Sequence, residues 1–225
     1  MLILSGGGAH PQTDSIIEWL HHHYKSMKIL YMPQAMAVLD DYAGCLKWLH
    51  EEMNNINYSI TLLPTCEHYN IEDYESFDML YIGGGNIDVL FTFLQQTNAI
   101  ELIKSFYTTN RIIFGGSAGA ILLGADCNAY RNYTKFNNYN GLNLCDNISF
   151  ACHYAPAFYI KEHSTTYENL LEEYVKTTEE RVVAIPEEVS LIIKDKMVVP
   201  IGGCYYIFNK KGHRNISQPA MIMDI

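Results

Sequence analysis

The hydrophobic residues of this chain fall into short apolar runs that alternate with amphipathic segments. Five runs in the first half have the length of buried β-strands: Leu2–Ser5, Lys28–Met32, Tyr58–Leu63, Asp78–Ile82 and Arg111–Phe114. Between them, apolar residues recur with helical spacing over Thr13–Tyr24, Asp40–Met53, Asp88–Gln95 and Ala99–Tyr107. Strands that alternate with helices are typical of βαβ units, which build a mainly parallel sheet.

The second half of the chain has a less regular pattern. Tyr130–Leu144 is rich in Asn and Tyr, which predicts a loop, and a short strand (Phe150–His153) and a helix (His163–Lys176) follow it. Four later runs have the pattern of hairpin strands: Arg181–Ile185, Ser190–Lys194, Met197–Pro200 and Tyr205–Asn209. We therefore expect residues 1–225 to form a single three-layer α/β domain. Its sheet should be mainly parallel, with antiparallel β additions near the C-terminus.

Charge and composition narrow the classes of function. The 225 residues carry a formal net charge of −10 and no basic patch, so we expect no nucleic-acid partner. The apolar stretches are shorter than the ~20 residues of a membrane span, and the N-terminus lacks the basic leader of a signal peptide. The six cysteines have no CxxC spacing. This usage predicts free thiols in a cytoplasmic protein without a metal site.

The segment Gly115–Ala120 carries the clearest chemical signal. A predicted strand leads into Gly-x-Ser-x-Gly around Ser117, and an apolar helix follows. This strand–turn–helix context is what a nucleophile elbow requires, because the serine then stands at a helix N-terminus that stabilises negative charge. The structural alternative is a glycine-rich turn in which Ser117 only caps the helix.

A second glycine loop is predicted at the same edge of the sheet. The strand ending at Ile82 runs into Gly83-Gly84-Gly85-Asn86. Because parallel strands end at one edge, backbone N–H groups of Gly84 or Gly85 could form an oxyanion hole with that of Ala118. Glycine loops before helices also bind phosphates, but neither loop continues into the Gly-Lys-Ser/Thr of a P-loop.

A serine nucleophile needs a general base. His153 follows the apolar Phe150–Cys152 run at an expected strand end and is the first candidate. His163, just before a predicted helix, is the alternative, and sequence order alone does not separate the two.

Three motifs together resemble the peptidase E and cyanophycinase-like serine peptidases. They are the Gly83–Asn86 loop, the Gly116–Ala120 elbow, and Gly141–Leu144 leading to Cys152-His153-Tyr154. The resemblance covers Leu80 to about Tyr174. It implies a fold like that of class I glutamine amidotransferases with serine in place of the elbow cysteine. It also implies Ser117 as nucleophile, His153 as base, and no metal or organic cofactor.

The third member of the expected triad is the weakest part of this resemblance. The family places an acid between the serine and the histidine, and the corresponding position here falls near Asn132, which is not acidic. Asp126 and Asp146 are the only carboxylates between Ser117 and His153. An asparagine stabilises imidazolium less well than a carboxylate does, so Asn132, Asp126 and Asp146 all stay open.

These observations predict a serine-type peptidase that hydrolyses short peptides through an acyl-enzyme on Ser117. One alternative is a binding or regulatory homologue that kept the pocket and lost turnover, because no acid is evident. Another is a cyanophycinase-like amide hydrolase. The specificity of peptidase E for an N-terminal aspartate is not expected, because Tyr167 and Glu168 stand where that family has basic groups. A homodimer is compatible with the sequence, which contains no signal for or against it.

Overall fold

A computed structural model describes residues 1–36, 42–55, 57–131, 140–178 and 180–224. The strands are β1 (Leu2–Ser5), β2 (Met27–Met32), β3 (Tyr58–Leu62), β4 (Met79–Ile82), β5 (Ile112–Gly116), β6 (Ile148–Ala151), β7 (Tyr159–Ile160), β8 (Thr165–Thr166), β9 (Arg181–Ala184), β10 (Ser190–Lys194), β11 (Met197–Ile201), β12 (Tyr205–Asn209), β13 (Gly212–Ile216) and β14 (Ala220–Met221). The α-helices are α1 (Asp14–His23), α2 (Ala43–Met53), α3 (Ile87–Gln96), α4 (Ala99–Thr108), α5 (Ala118–Leu123), α6 (Asn128–Arg131) and α7 (Tyr167–Thr178).

An eight-stranded sheet is the centre of the fold. Its strand order is β14-β11-β10-β1-β5-β4-β2-β3. The strands from β1 to β3 in this order are mutually parallel, whereas β10, β11 and β14 join beyond β1 in antiparallel pairing. The predicted α/β class, with a mainly parallel sheet and antiparallel additions near the C-terminus, is confirmed.

Helices cover both faces of this sheet because alternate strand residues point in opposite directions. In β1, Leu4 packs in one core together with residues of α3, α4 and α5, whereas Ile3 packs in the other with residues of α1 and α2. The same alternation places Ile82 on the first face and Tyr81 on the second. Both faces are buried, which explains why the strands are continuous apolar runs.

The C-terminal strands divide between two sheets, which differs from the expected single sheet. Strands β10 and β11 extend the large sheet, but β9 and β12 form a second sheet of order β13-β12-β9-β6. Within it, β6 and β9 are parallel and Ala151 lies opposite Ala184. Apolar runs identify strands but not their partners, so this pairing was not visible in the sequence. The pairing of β6 with β9 brings together the segments that follow these two strands, which contain His153 and Glu187.

Among the helices of the described residues, none combines the length and continuous apolar character that crossing a bilayer requires.

The contact between α5 and β4 depends on Gly119. A Cβ placed on this residue would lie 2.3 Å from the carbonyl oxygen of Ile82, which is far inside van der Waals contact. Only glycine lets the helix after the elbow approach the neighbouring strand this closely. The elbow geometry is therefore fixed by backbone packing as well as by the turn itself.

We predict that Gly119→Ala lowers the free energy of unfolding by about 1–3 kcal/mol, because the added methyl group overpacks this contact. The matched control is Gly44→Ala in α2, where an added Cβ meets no atom within 4 Å. Since alanine is the better helix former, Gly44→Ala should leave stability unchanged or raise it by up to about 1 kcal/mol. Urea denaturation measures both values, and equal stability of the two variants would contradict the packing argument.

Candidate active site

Ser117 occupies the tight turn between β5 and α5. Its backbone has φ 49° and ψ −109°, a conformation that residues with a Cβ rarely adopt. The turn is fixed by the Ser117 N–H, which donates to the carbonyl oxygen of Ser5 at 3.1 Å. This is the strained strand–turn–helix geometry expected of a nucleophile elbow, and the serine side chain borders a cavity of about 630 Å³.

Two hydrogen bonds connect Ser117 to a carboxylate through an imidazole. His153 Nε2 lies 2.7 Å from Ser117 Oγ, and His153 Nδ1 lies 2.8 Å from Glu187 Oε1. With Nδ1 donating to the carboxylate, Nε2 of a neutral imidazole is left to accept the serine proton. Ser117 and His153, both predicted from the sequence, are thus in direct contact.

Glu187 is held in its ionised form by the groups around it. The hydrogen bond from the His153 side chain is the main factor that keeps the pKa of Glu187 below its ordinary value, and a second comes from Gln12. Gln12 Nε2 donates to the other carboxylate oxygen at 2.8 Å. Partial burial opposes the shift but does not reverse it. The carboxylate therefore stays charged as the pH falls below the usual range of glutamate.

The Gly6–Gly8 loop positions both the histidine and the glutamate. The Gly6 carbonyl accepts the His153 N–H at 2.8 Å, and the Gly8 N–H donates to the Glu187 carbonyl at 3.2 Å. Gly7 lies against the imidazole itself, since a Cβ on it would come within 2.4 Å of His153 Cε1, and its φ is 106°. Glycine at this position is needed both for the conformation and for the space.

The carboxylate in contact with His153 follows the histidine in the chain, whereas the expected acid lay between Ser117 and His153. Asp126 instead accepts hydrogen bonds from the backbone and side chain of Asn128. Asp146 borders a cavity around Met1, at the opposite edge of the sheet from Ser117. Asn132 lies outside the described residues. Among the described carboxylates, Glu187 is the one hydrogen-bonded to His153, whereas Asp126 and Asp146 are engaged elsewhere.

A signal for Glu187 existed in the sequence but needed the strand pairing to be interpreted. Ala151 and Ala184 are opposite each other in the parallel strands β6 and β9. Two residues after Ala151 comes His153, and three residues after Ala184 comes Glu187. Carboxyl ends of paired parallel strands lie side by side, so these two side chains meet. Without the pairing, Glu187 is one acid among 25 acidic residues.

The second glycine loop lies beside Ser117, as expected. A Cβ on Gly84 would be 3.2 Å from Ser117 Cβ, and the Gly83 N–H is already bonded to the last residue of β2 at 2.9 Å. Within the described part of the chain, the N–H groups of Gly84 and Gly85 have no acceptor. Ala118 begins α5, where the first N–H groups lack intrahelical acceptors. These amides are available to an oxyanion.

Cys152 neighbours this machinery but is chemically inert. Its thiol is fully buried, and burial raises its pKa well above the ordinary range of cysteine. Cys152 Sγ lies 3.6 Å from the backbone oxygens of Ser5 and Ser117. A buried neutral thiol is a poor nucleophile, so Ser117 is the candidate nucleophile of this site.

The family model described as Peptidase family S51 matches residues 1–201. The chain belongs to Peptidase family S51. This S51 protein is therefore a serine-type peptidase, a hydrolase, and the expected peptidase E-like family is confirmed. No curated protein matches the chain at a significant level.

Two solved structures have the same fold as this S51 peptidase. A peptidase from an acI-B1 Actinobacterium is 16% identical with a TM-score of 0.75, and the match covers 98% of this chain and 96% of that one. A candidate peptidase E protein from Listeria monocytogenes EGD-e is 18% identical with a TM-score of 0.65, and the match covers 88% of this chain and 96% of that one. At these identities the likeness shows the fold alone.

We predict that Glu187→Gln slows the reaction of Ser117 with a fluorophosphonate probe by roughly two to four orders of magnitude. An amide cannot stabilise the imidazolium as a carboxylate does, and it can favour the wrong imidazole tautomer. Time-resolved intact-mass spectrometry measures the rate. Glu188→Gln removes the adjacent carboxylate and should react like the wild type. Equal slowing in both variants would show that Glu187 has no special role.

Proposed function

We propose that this S51 peptidase hydrolyses short peptides through an acyl-enzyme on Ser117. The observation that carries the proposal is the unbroken chain of contacts from Ser117 Oγ through His153 to Glu187, at 2.7 and 2.8 Å. Such an arrangement converts a weakly nucleophilic hydroxyl into an attacking group.

In the proposed reaction, Ser117 Oγ attacks the carbonyl carbon while His153 Nε2 takes its proton. Negative charge then develops on the carbonyl oxygen, and the N–H groups of Gly84, Gly85 and Ala118 are the donors nearest to receive it. The imidazolium, stabilised by Glu187, next gives its proton to the departing amine. Water repeats the sequence on the acyl-enzyme and releases the acid product.

An inert binding homologue was the main alternative, and it rested on the missing acid. Glu187, whose carboxylate lies 2.8 Å from His153 Nδ1, supports the catalytic alternative instead. Nothing in the described residues specifically favours cyanophycinase-like hydrolysis.

We also propose that residues 1–225 act as one hydrolytic domain, because strands of both sheets contribute to a shared apolar core. Six free cysteines fit a reducing cytoplasm, which we propose as the compartment.

We predict that Ser117→Ala abolishes both fluorophosphonate labelling and turnover of every cleaved member of a dipeptide library, because it removes the attacking oxygen. The control is Cys152→Ala, which removes the nearest thiol and should keep both activities within about tenfold. Mass spectrometry locates the label, and amine release measures turnover. Turnover that survives Ser117→Ala, or label that moves to Cys152, would contradict the proposal.

A further inference from the structure

The cavity beside Ser117 continues into the space between the large sheet and helices α1 and α2. Its catalytic end is bordered by Ser117, His153 and Gly84. Its other walls are apolar and come from both helices and the sheet: Ile16, Ile17, Trp48, Leu49, Met53 and Phe114. A volume of about 630 Å³ is large enough for any amino-acid side chain. The cavity is thus an apolar chamber connected to the reacting atoms.

The charge along this chamber is negative. Apart from His153, Glu52 is the one acidic or basic residue among the described residues that border it. Its carboxylate accepts the His10 N–H at 3.0 Å and the Thr13 hydroxyl at 2.7 Å, and it pairs with no described Lys or Arg. A substrate carboxylate placed here would lose its hydration, meet no cation and be repelled by Glu52.

Two tyrosine hydroxyls at the catalytic end form no hydrogen bond within the described part of the chain. Tyr31 and Tyr81 border the chamber and are only 3% and 7% exposed. Tyr31 Oη lies 3.2 Å from the position of a Cβ on Gly83, and Tyr81 Oη lies 3.4 Å from that on Gly116. Neither hydroxyl has a hydrogen-bond partner among the described side chains and backbone. Because they adjoin the elbow and the glycine loop, the group they would bind is substrate main chain rather than a side-chain tip.

The geometry of the site separates the two halves of a substrate. The departing amine must lie near His153, which gives it a proton, whereas the acyl part stays near Ser117 and the Gly84 loop. A second cavity is bordered by His153, Lys161 and Glu187 but not by Ser117 or the glycine loop. Both cavities border His153, but only the apolar chamber also borders Ser117 and Gly84, which places it on the acyl side.

We propose that the apolar chamber receives the side chain of the residue that acylates Ser117, and that it selects large apolar side chains of the leucine and phenylalanine class over side chains that carry a carboxylate. Tyr31 and Tyr81 bind the adjoining substrate main chain and act on all substrates alike. This inference rests on the proposed function, because it requires Ser117 to be the acylated residue.

Aminoacyl diphenyl phosphonates test the inference directly. Ser117 Oγ forms a bond to phosphorus, and phenol leaves with the proton that His153 has taken. The phenylalanine and leucine analogues should label Ser117 at least about tenfold faster than those of alanine and aspartate. A fluorophosphonate without a side chain gives the reference rate. Labelling by the alanine or aspartate analogue that is as fast as labelling by the phenylalanine analogue, with the reference rate intact, would overturn the selectivity while leaving the proposed function standing.

If the reference probe itself fails to label Ser117, the proposed function is wrong, so the two failures are distinguishable. Ile17→Trp adds volume inside the chamber and should remove the advantage of the phenylalanine analogue over the alanine analogue. Glu18→Trp makes the same addition on the exposed neighbouring position of α1 and should change nothing. Unchanged selectivity in Ile17→Trp, with reference labelling retained, would place the side chain elsewhere.

Tyr81→Phe gives an independent readout of the main-chain contact. Loss of its hydroxyl should slow all four analogues by a similar factor and leave their ranking unchanged. A change in ranking would instead assign Tyr81 to side-chain recognition and contradict this part of the proposal.

Discussion

The hydrogen bond between His153 Nδ1 and Glu187 Oε1 is the interaction on which the rest of the site depends. It orients the imidazole, selects the tautomer that can accept the Ser117 proton, and joins two strand ends that lie in a different sheet from the elbow. The Gly6–Gly8 loop connects the two sheets at this point, because it bonds to the backbones of both His153 and Glu187. Ser117 follows a strand of the large sheet, whereas His153 and Glu187 follow strands of the smaller one.

This arrangement requires neighbouring backbone segments to approach one another closely. Backbone hydrogen bonds on both sides of the elbow hold Ser117 at its strained φ. Because Gly7 has no side chain, the His153 imidazole can lie close to it and beside Ser117. Gly119 brings α5 against β4, which places the first amide of the helix near the Gly84 loop. These glycines therefore allow the close packing that the arrangement of Ser117 and His153 requires. The strained turn at Ser117 persists because the surrounding contacts hold its backbone in place.

Much of the fold and of the candidate site could be predicted from the sequence, because strands and the elbow are marked by local residue patterns. Continuous apolar runs identified the parallel strands, and the glycine spacing around Ser117 identified the elbow. His153 was one of two candidate histidines, and the resemblance to the peptidase E family favoured it over His163. Glu187 was missed because its proximity to His153 depends on the pairing of β6 with β9, which no local pattern encodes. The apolar chamber was missed for the same reason, since its walls come from α1, α2 and four strands that are far apart in the chain.

The most direct test of the account is the proton NMR signal of the His153 imidazole. If Glu187 accepts the Nδ1 proton as described, the protein shows a strongly downfield, slowly exchanging N–H resonance. The resonance should disappear in His153→Ala and shift markedly upfield in Glu187→Gln, where a neutral amide replaces the charged acceptor. A resonance that is unaffected by Glu187→Gln would show that another group orients the histidine, and the central claim would fail.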